Sequence, residues 1–153
     1  MATETKVIPH TFPFKMQGDY LSAGRTNTDL ARSGALWLSL KINAEGGENA
    51  VHAHSRETHS FVVLEGECSF FDEKDEETKV TQYEGIMIPK GAFYRYLNTG
   101  KSNLVLLRIG SKIEDAQMEE SRFKPDGAPI PAYTPENHHV EGVPIPGQVW
   151  GAK

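Results

Sequence analysis

Three of the chain's six histidines, His52, His54 and His59, fall within eight residues of one another. Imidazole is the commonest protein ligand for transition-metal ions, so a cluster of this density points to a metal site that takes the histidines in neutral form. His52 and His54 are two apart, so on a strand they face the same side with Cα atoms about 6.5–7 Å apart, within reach of one ion. His59 opens an apolar run whose alternation sends His59, Phe61 and Val63 to one face and Ser60, Val62 and Leu64 to the other. A turn at Ser55–Thr58 that folds this run back on the first brings the three imidazoles together. They would leave a divalent ion near its full charge, attractive to an anionic or chelating substrate. Imidazoles alone do not choose the metal. Fe(II) with open positions suits oxygen chemistry and is favoured, with Zn, Mn or Ni as alternatives.

The elements that must hold these side chains read as strands. Leu36, Leu38, Leu40 and Ile42 alternate with Ala35, Trp37, Ser39 and Lys41, and the short apolar runs Ser60–Leu64, Cys68–Phe71, Ile86–Ile88, Phe93–Leu97 and Leu104–Ile109 are separated by turn-forming and charged residues. That punctuation predicts an all-β antiparallel sandwich or barrel. Gly46-Gly47 reads as a turn, and the acidic run Asp72–Glu77 as the solvated tip of a hairpin. A short helix is expected around Ile113–Phe123. Beyond it, Lys124–Lys153 carries six of the nine prolines, which exclude a helix or a central strand and leave an extended arm laid over the barrel or a neighbouring subunit. Residues 1–110 therefore form the strands and barrel, and 111–153 the helix and the Pro-rich C-terminal arm packed on the same domain.

Composition narrows the partners. A length of 153 residues fits one domain, and a net charge of −5 without a clustered basic face disfavours nucleic acid. The first residues lack a charged-then-apolar signal pattern and no apolar run approaches the roughly 18 residues that span a bilayer, so a cytoplasmic protein without membrane contact is expected. The single cysteine, Cys68, agrees with a reducing compartment and reads as a buried structural thiol.

The motif region resembles the cupin superfamily. Its first motif is Gly-x5-His-x-His-x(3–4)-Glu-x6-Gly, and Gly46, His52, His54 and Gly66 fall in register, with His59 where the family has Glu. In the second motif, Gly-x5-Pro-x-Gly-x2-His-x3-Asn, Pro89, Gly91 and Asn98 match, while Tyr83 replaces the first Gly and Tyr94 the His. The resemblance implies a jelly-roll β-barrel, commonly a homodimer, with a divalent metal near its centre. The ligand set becomes His52, His54 and His59, plus a Tyr94 that either binds the metal, hydrogen-bonds to a ligand, or lines the cavity.

Strand parity adds the remaining candidates. Tyr96 shares the face of Tyr94, and Phe61 that of His59, so both are expected to contact substrate. Arg108 is on the face of Leu104 and Leu106, where it is either an inward carboxylate anchor or an exposed strand end. Glu57, between the histidines, is either an acid/base group, a partner that orients a ligand, or a solvated loop carboxylate. His138 and His139 point in opposite directions on an extended segment and are expected at the surface. No phosphate loop, nucleophile elbow or Ser-His-Asp order is found. The expected function is a metal-dependent enzyme, an Fe(II) dioxygenase-type catalyst acting on a small chelating or aromatic molecule, with Tyr94 and Glu57 as catalytic groups. A non-oxidative lyase or isomerase and a noncatalytic binding barrel are the alternatives.

Overall fold

The computed structural model describes residues 8–44, 49–112 and 121–153. Its strands are β1 (Gly18–Ala23), β2 (Arg25–Ser33), β3 (Leu36–Asn43), β4 (Ala53–His54), β5 (Glu57–Glu65), β6 (Glu67–Phe71), β7 (Glu77–Thr81), β8 (Gly85–Ile88), β9 (Arg95–Asn98), β10 (Leu104–Lys112), β11 (Arg122–Phe123) and β12 (Val143–Trp150). The larger sheet has the order β2-β3-β10-β5-β8, and β7-β6-β9 forms the sheet that faces it. Reciprocal backbone hydrogen bonds between His52 and Tyr94, 3.0 and 2.9 Å, carry β9 on to the short β4–β11 pair. The strand pairs are antiparallel, as a jelly roll requires.

Two apolar layers hold the strands. Phe61, Val63, Cys68, Phe70, Val80, Ile88, Tyr94, Tyr96, Leu104 and Leu106 fill the barrel. Leu40 and Ile42, from the alternation read in the sequence, pack instead in a second layer with Leu21 and Val105, beneath the β1–β12 pair. The opposite face of β3, carrying Trp37, Ser39, Lys41 and Asn43, is therefore the one turned to the barrel interior. Gly66, at φ +86°, joins β5 to β6 in a left-handed conformation that glycine adopts without steric cost.

Several expectations are refined here. The turn between the histidine strands is shorter than predicted, because β4 ends at His54 and β5 already begins at Glu57. The acidic run is a hairpin tip between β6 and β7, where Asp72 Oδ1 accepts from the backbone N–H groups of Lys74 and Glu76. Of the expected helix, residues 113–120 lie outside the described residues, and Arg122–Phe123 is a strand. Gly46-Gly47 also lies outside them. The C-terminal segment is extended, and β12 pairs with β1 despite Pro144 and Pro146, which a two-stranded edge tolerates. Among the described residues no helix is long and apolar enough to cross a membrane.

Candidate metal centre

The inward column of β5 changes character halfway along. Val63 and Phe61 are buried in the apolar filling, whereas His59 and Glu57 continue the same face as titratable groups. His52 and His54 meet them from β4 and the residue just before it. The His54 and His59 ring centroids are 4.4 Å apart, and those of His52 and His54 5.1 Å. Glu57 Oε2 lies 2.8 Å from His59 Nε2 and 3.4 Å from His54 Nδ1. His54, Glu57 and His59 each offer a ligand atom within 4.8 Å of the others, a spacing one divalent ion can bridge. His52 stands beside this trio. Glu57 is thus a wall of the site and not a solvated loop group.

The donors fit a metal. His52 Nδ1–H donates to the Ala50 carbonyl at 2.7 Å, which fixes the tautomer and leaves Nε2 with its lone pair; that nitrogen is buried without a hydrogen-bond partner. Neither ring nitrogen of His54 makes a hydrogen bond, although Nδ1 lies 3.4 Å from Glu57 Oε2. In the neutral ring one nitrogen is a donor and the other a lone-pair acceptor, and such unsatisfied buried groups are costly unless something occupies them. Burial lowers the His52 pKa to about 3 and that of His59 to about 4, and burial also pushes His54 down, so all three imidazoles are neutral, the form that binds metal. Burial tends to raise the Glu57 pKa, but the hydrogen bond to His59 and nearby positive charge outweigh it and keep the carboxylate ionised. With Glu57 bound, a divalent ion would keep one unit less charge than with imidazoles alone.

The remaining candidates surround this cluster. Tyr94 is buried, 4.6 Å from His52 and 6.2 Å from His54 between ring centroids, and burial raises its pKa so that the phenol keeps its proton. Phe61 packs on Tyr94 and Tyr96. Tyr96 is deeper, its hydroxyl donating to Asn43 Oδ1 at 3.3 Å. Arg108 takes the inward alternative: its Nη2 sits 3.1 Å from both ring nitrogens of His59, hence over the ring, and its guanidinium covers Trp37 at 4.7 Å. Trp37 can lie there because its β10 partner is Gly110, where a Cβ would collide with the indole.

A cavity of about 70 Å³ adjoins the cluster, lined by His52, Phe61, Tyr94, Tyr96 and Arg108 among others. Sequence reasoning missed Arg25, Lys41 and Arg122 on its wall. His139, expected at the surface, also lines it, while His138 is exposed.

The cupin domain family model matches residues 40–110, which span the histidine strands and the second motif. Residues 40–110 are a cupin domain. No curated protein matches it. Among solved structures this cupin is similar to KdgF from Halomonas sp., at 16% identity and a TM-score of 0.59, covering 69% of this chain and 97% of that one. It is also similar to the Cnp3 cupin domain of Schizosaccharomyces pombe, at 17% identity and TM-score 0.55, over 61% of this chain and 68% of that one. An oxalate oxidase in complex with the substrate analogue glycolate matches at 21% identity and TM-score 0.51, over 60% of this chain and 52% of the oxidase. At these identities the likeness supports the fold.

Proposed function

We propose that this cupin is a metal-dependent enzyme, an Fe(II) dioxygenase-type oxidoreductase acting on a small chelating or aromatic anion. The observation that carries the reading is the meeting of His54, Glu57 and His59 around one point, two imidazoles and one carboxylate, the donor set typical of non-haem Fe(II) oxygenases. His52 Nε2, buried and unpartnered beside them, is a further donor. When bound, Fe(II) would supply Lewis acidity and oxygen activation that no side chain of this cavity provides.

The chain's own residues do the rest. Arg108 presents a guanidinium to a substrate carboxylate, a pairing whose planar fork fixes orientation. Tyr94, kept protonated by burial, donates one hydrogen bond from its phenol. Phe61 and Tyr96 supply flat apolar walls that exclude water and favour a planar molecule. An oxalate oxidase with bound glycolate among the fold neighbours is in keeping with a small carboxylate in a barrel of this shape.

The test is oxygen uptake by iron-loaded protein against a panel of small hydroxy, keto and aromatic acids. Substrate-dependent uptake that disappears in His54→Ala supports the reading. Turnover without oxygen uptake, with Zn or Mn in place of iron, would replace it with a lyase or isomerase in which His52 completes a three-imidazole set and Glu57 carries a proton. Absence of turnover with every metal would leave a binding barrel.

A further inference from the structure

Although the chain carries a net charge of −5, the cavity beside the histidines is lined by four cationic side chains, Arg25, Lys41, Arg108 and Arg122, and by no described carboxylate. They come from β2, β3, β10 and β11, so the barrel topology and not a local basic run brings them together. Lys41 projects from the polar face of β3, opposite Asn27 on β2 and Leu106 on β10. Burial, followed by the charges of Arg108, Arg25 and Arg122, holds the Lys41 amine well below the usual lysine range. Arg25 Nη2 donates to the Asn137 carbonyl at 3.0 Å, a contact that aims the guanidinium without cancelling its charge. Arg108 Nε is buried with no hydrogen-bond partner. All four are half-buried, and like charges converge on one half-enclosed cavity only at a cost that an anion between them offsets.

We infer that this cavity binds a small dicarboxylate, one carboxylate directed to the histidine and Glu57 cluster and the second held by Lys41, Arg25 and Arg122. Phe61, Tyr94 and Tyr96 form the apolar stretch between the two ends. Only the first contact rests on the metal reading above. The second is a property of the cationic wall and is present without metal.

The experiment is calorimetric titration of chelator-stripped, dialysed protein with succinate, butyrate and inorganic phosphate. Succinate is expected to bind the metal-free protein saturably through the cationic wall, about as tightly as butyrate, and about tenfold tighter than butyrate once Zn²⁺ is restored, because the second charge-assisted pairing then becomes available. Its affinity should fall as salt is raised. Lys41→Met and Arg122→Gln should each weaken succinate by about tenfold, whereas Lys79→Met, on exposed β7, should leave it unchanged. Lys41→Met removes a repelled charge and should fold with a raised Tm, and succinate should raise the Tm of the wild type more than that of the variant. No succinate binding to the metal-free protein, wild-type affinity in both Lys41→Met and Arg122→Gln, or phosphate binding without succinate would each overturn the inference. Protein that binds succinate but holds no metal would sustain it and sink the metal reading; protein that holds metal and ignores succinate would do the reverse.

Discussion

The two ends of the barrel interior are built by the same strands and behave in opposite ways. On β10, Leu104 and Leu106 are fully buried among apolar neighbours, and two residues further along the same face Arg108 lies over His59. On β5 the change falls between Phe61 and His59. One physical cause, the penalty that burial places on charge, acts at both ends. At the apolar end it raises the Cys68 thiol to about 12 and makes it inert; at the polar end it lowers the imidazoles and leaves them ready to donate a lone pair. Reactivity here follows from which group is buried and not from exposure to solvent.

The contrast breaks most severely at the apolar end. Leu106→Ala leaves a cavity in a fully buried layer and should cost about 2–5 kcal/mol in denaturant unfolding, with metal stoichiometry retained in the fraction that folds. At the polar end the effects reverse. His54→Ala should reduce affinity for a divalent ion by more than about a hundredfold, measured with Zn²⁺ against a competing chelator, while thermal stability of the metal-free protein is kept. Gly110→Ala drives a methyl group into Trp37 and should cost about 1–3 kcal/mol, disturbing the indole that carries Arg108 and His59.

A pH series sharpens the same comparison. Free histidine protonates near 6.5, but in the folded chain His59 is lowered to about 4 and His52 to about 3, so the unfolded state binds more protons between those limits. Stability of the metal-free protein should therefore decline as pH falls below about 6.5, and bound Zn²⁺ should persist to near pH 5. Retention of full stability at pH 5 would mean that the imidazoles are not held neutral. The smallest effect belongs to Cys68, which should resist thiol reagents in the native protein at pH 8 and react once unfolded, read by mass shift.

Much of this site was legible from side-chain parity. The spacing of His52, His54 and His59 placed three imidazoles on converging faces, Tyr94 came from its place at the second motif's His position, and Tyr96 and Phe61 followed from alternation. Glu57 shares the parity of His59, yet a longer assumed turn put it in a loop, and only the early start of β5 returns it to the strand. Lys41, Arg25 and Arg122 were not legible because their meeting depends on pairings distant in sequence. The apolar alternation of β3 is real, but its leucines face the outer layer, so it gave no sign that Lys41 turns inward. β2 and β7 escaped notice because Arg25–Ser33 and Glu77–Thr81 are largely polar strands with exposed faces.

One buried asparagine has a consequence for the order of events in folding. Asn137 accepts from the Ala50 backbone through Oδ1, donates to the Ala132 carbonyl, and receives Arg25 on its own carbonyl, closing separations of 87 and 112 residues. Contacts so distant in the chain incur a large loop-closure entropy before they return any energy, so they form late. His54 and His59 are five residues apart across a turn of two residues, so their approach to one another incurs a far smaller loop-closure cost. In a stopped-flow refolding experiment the imidazole cluster should capture a metal before the cationic wall is complete, which makes Asn137 the final clasp of the cavity and gives its assembly a direction in time.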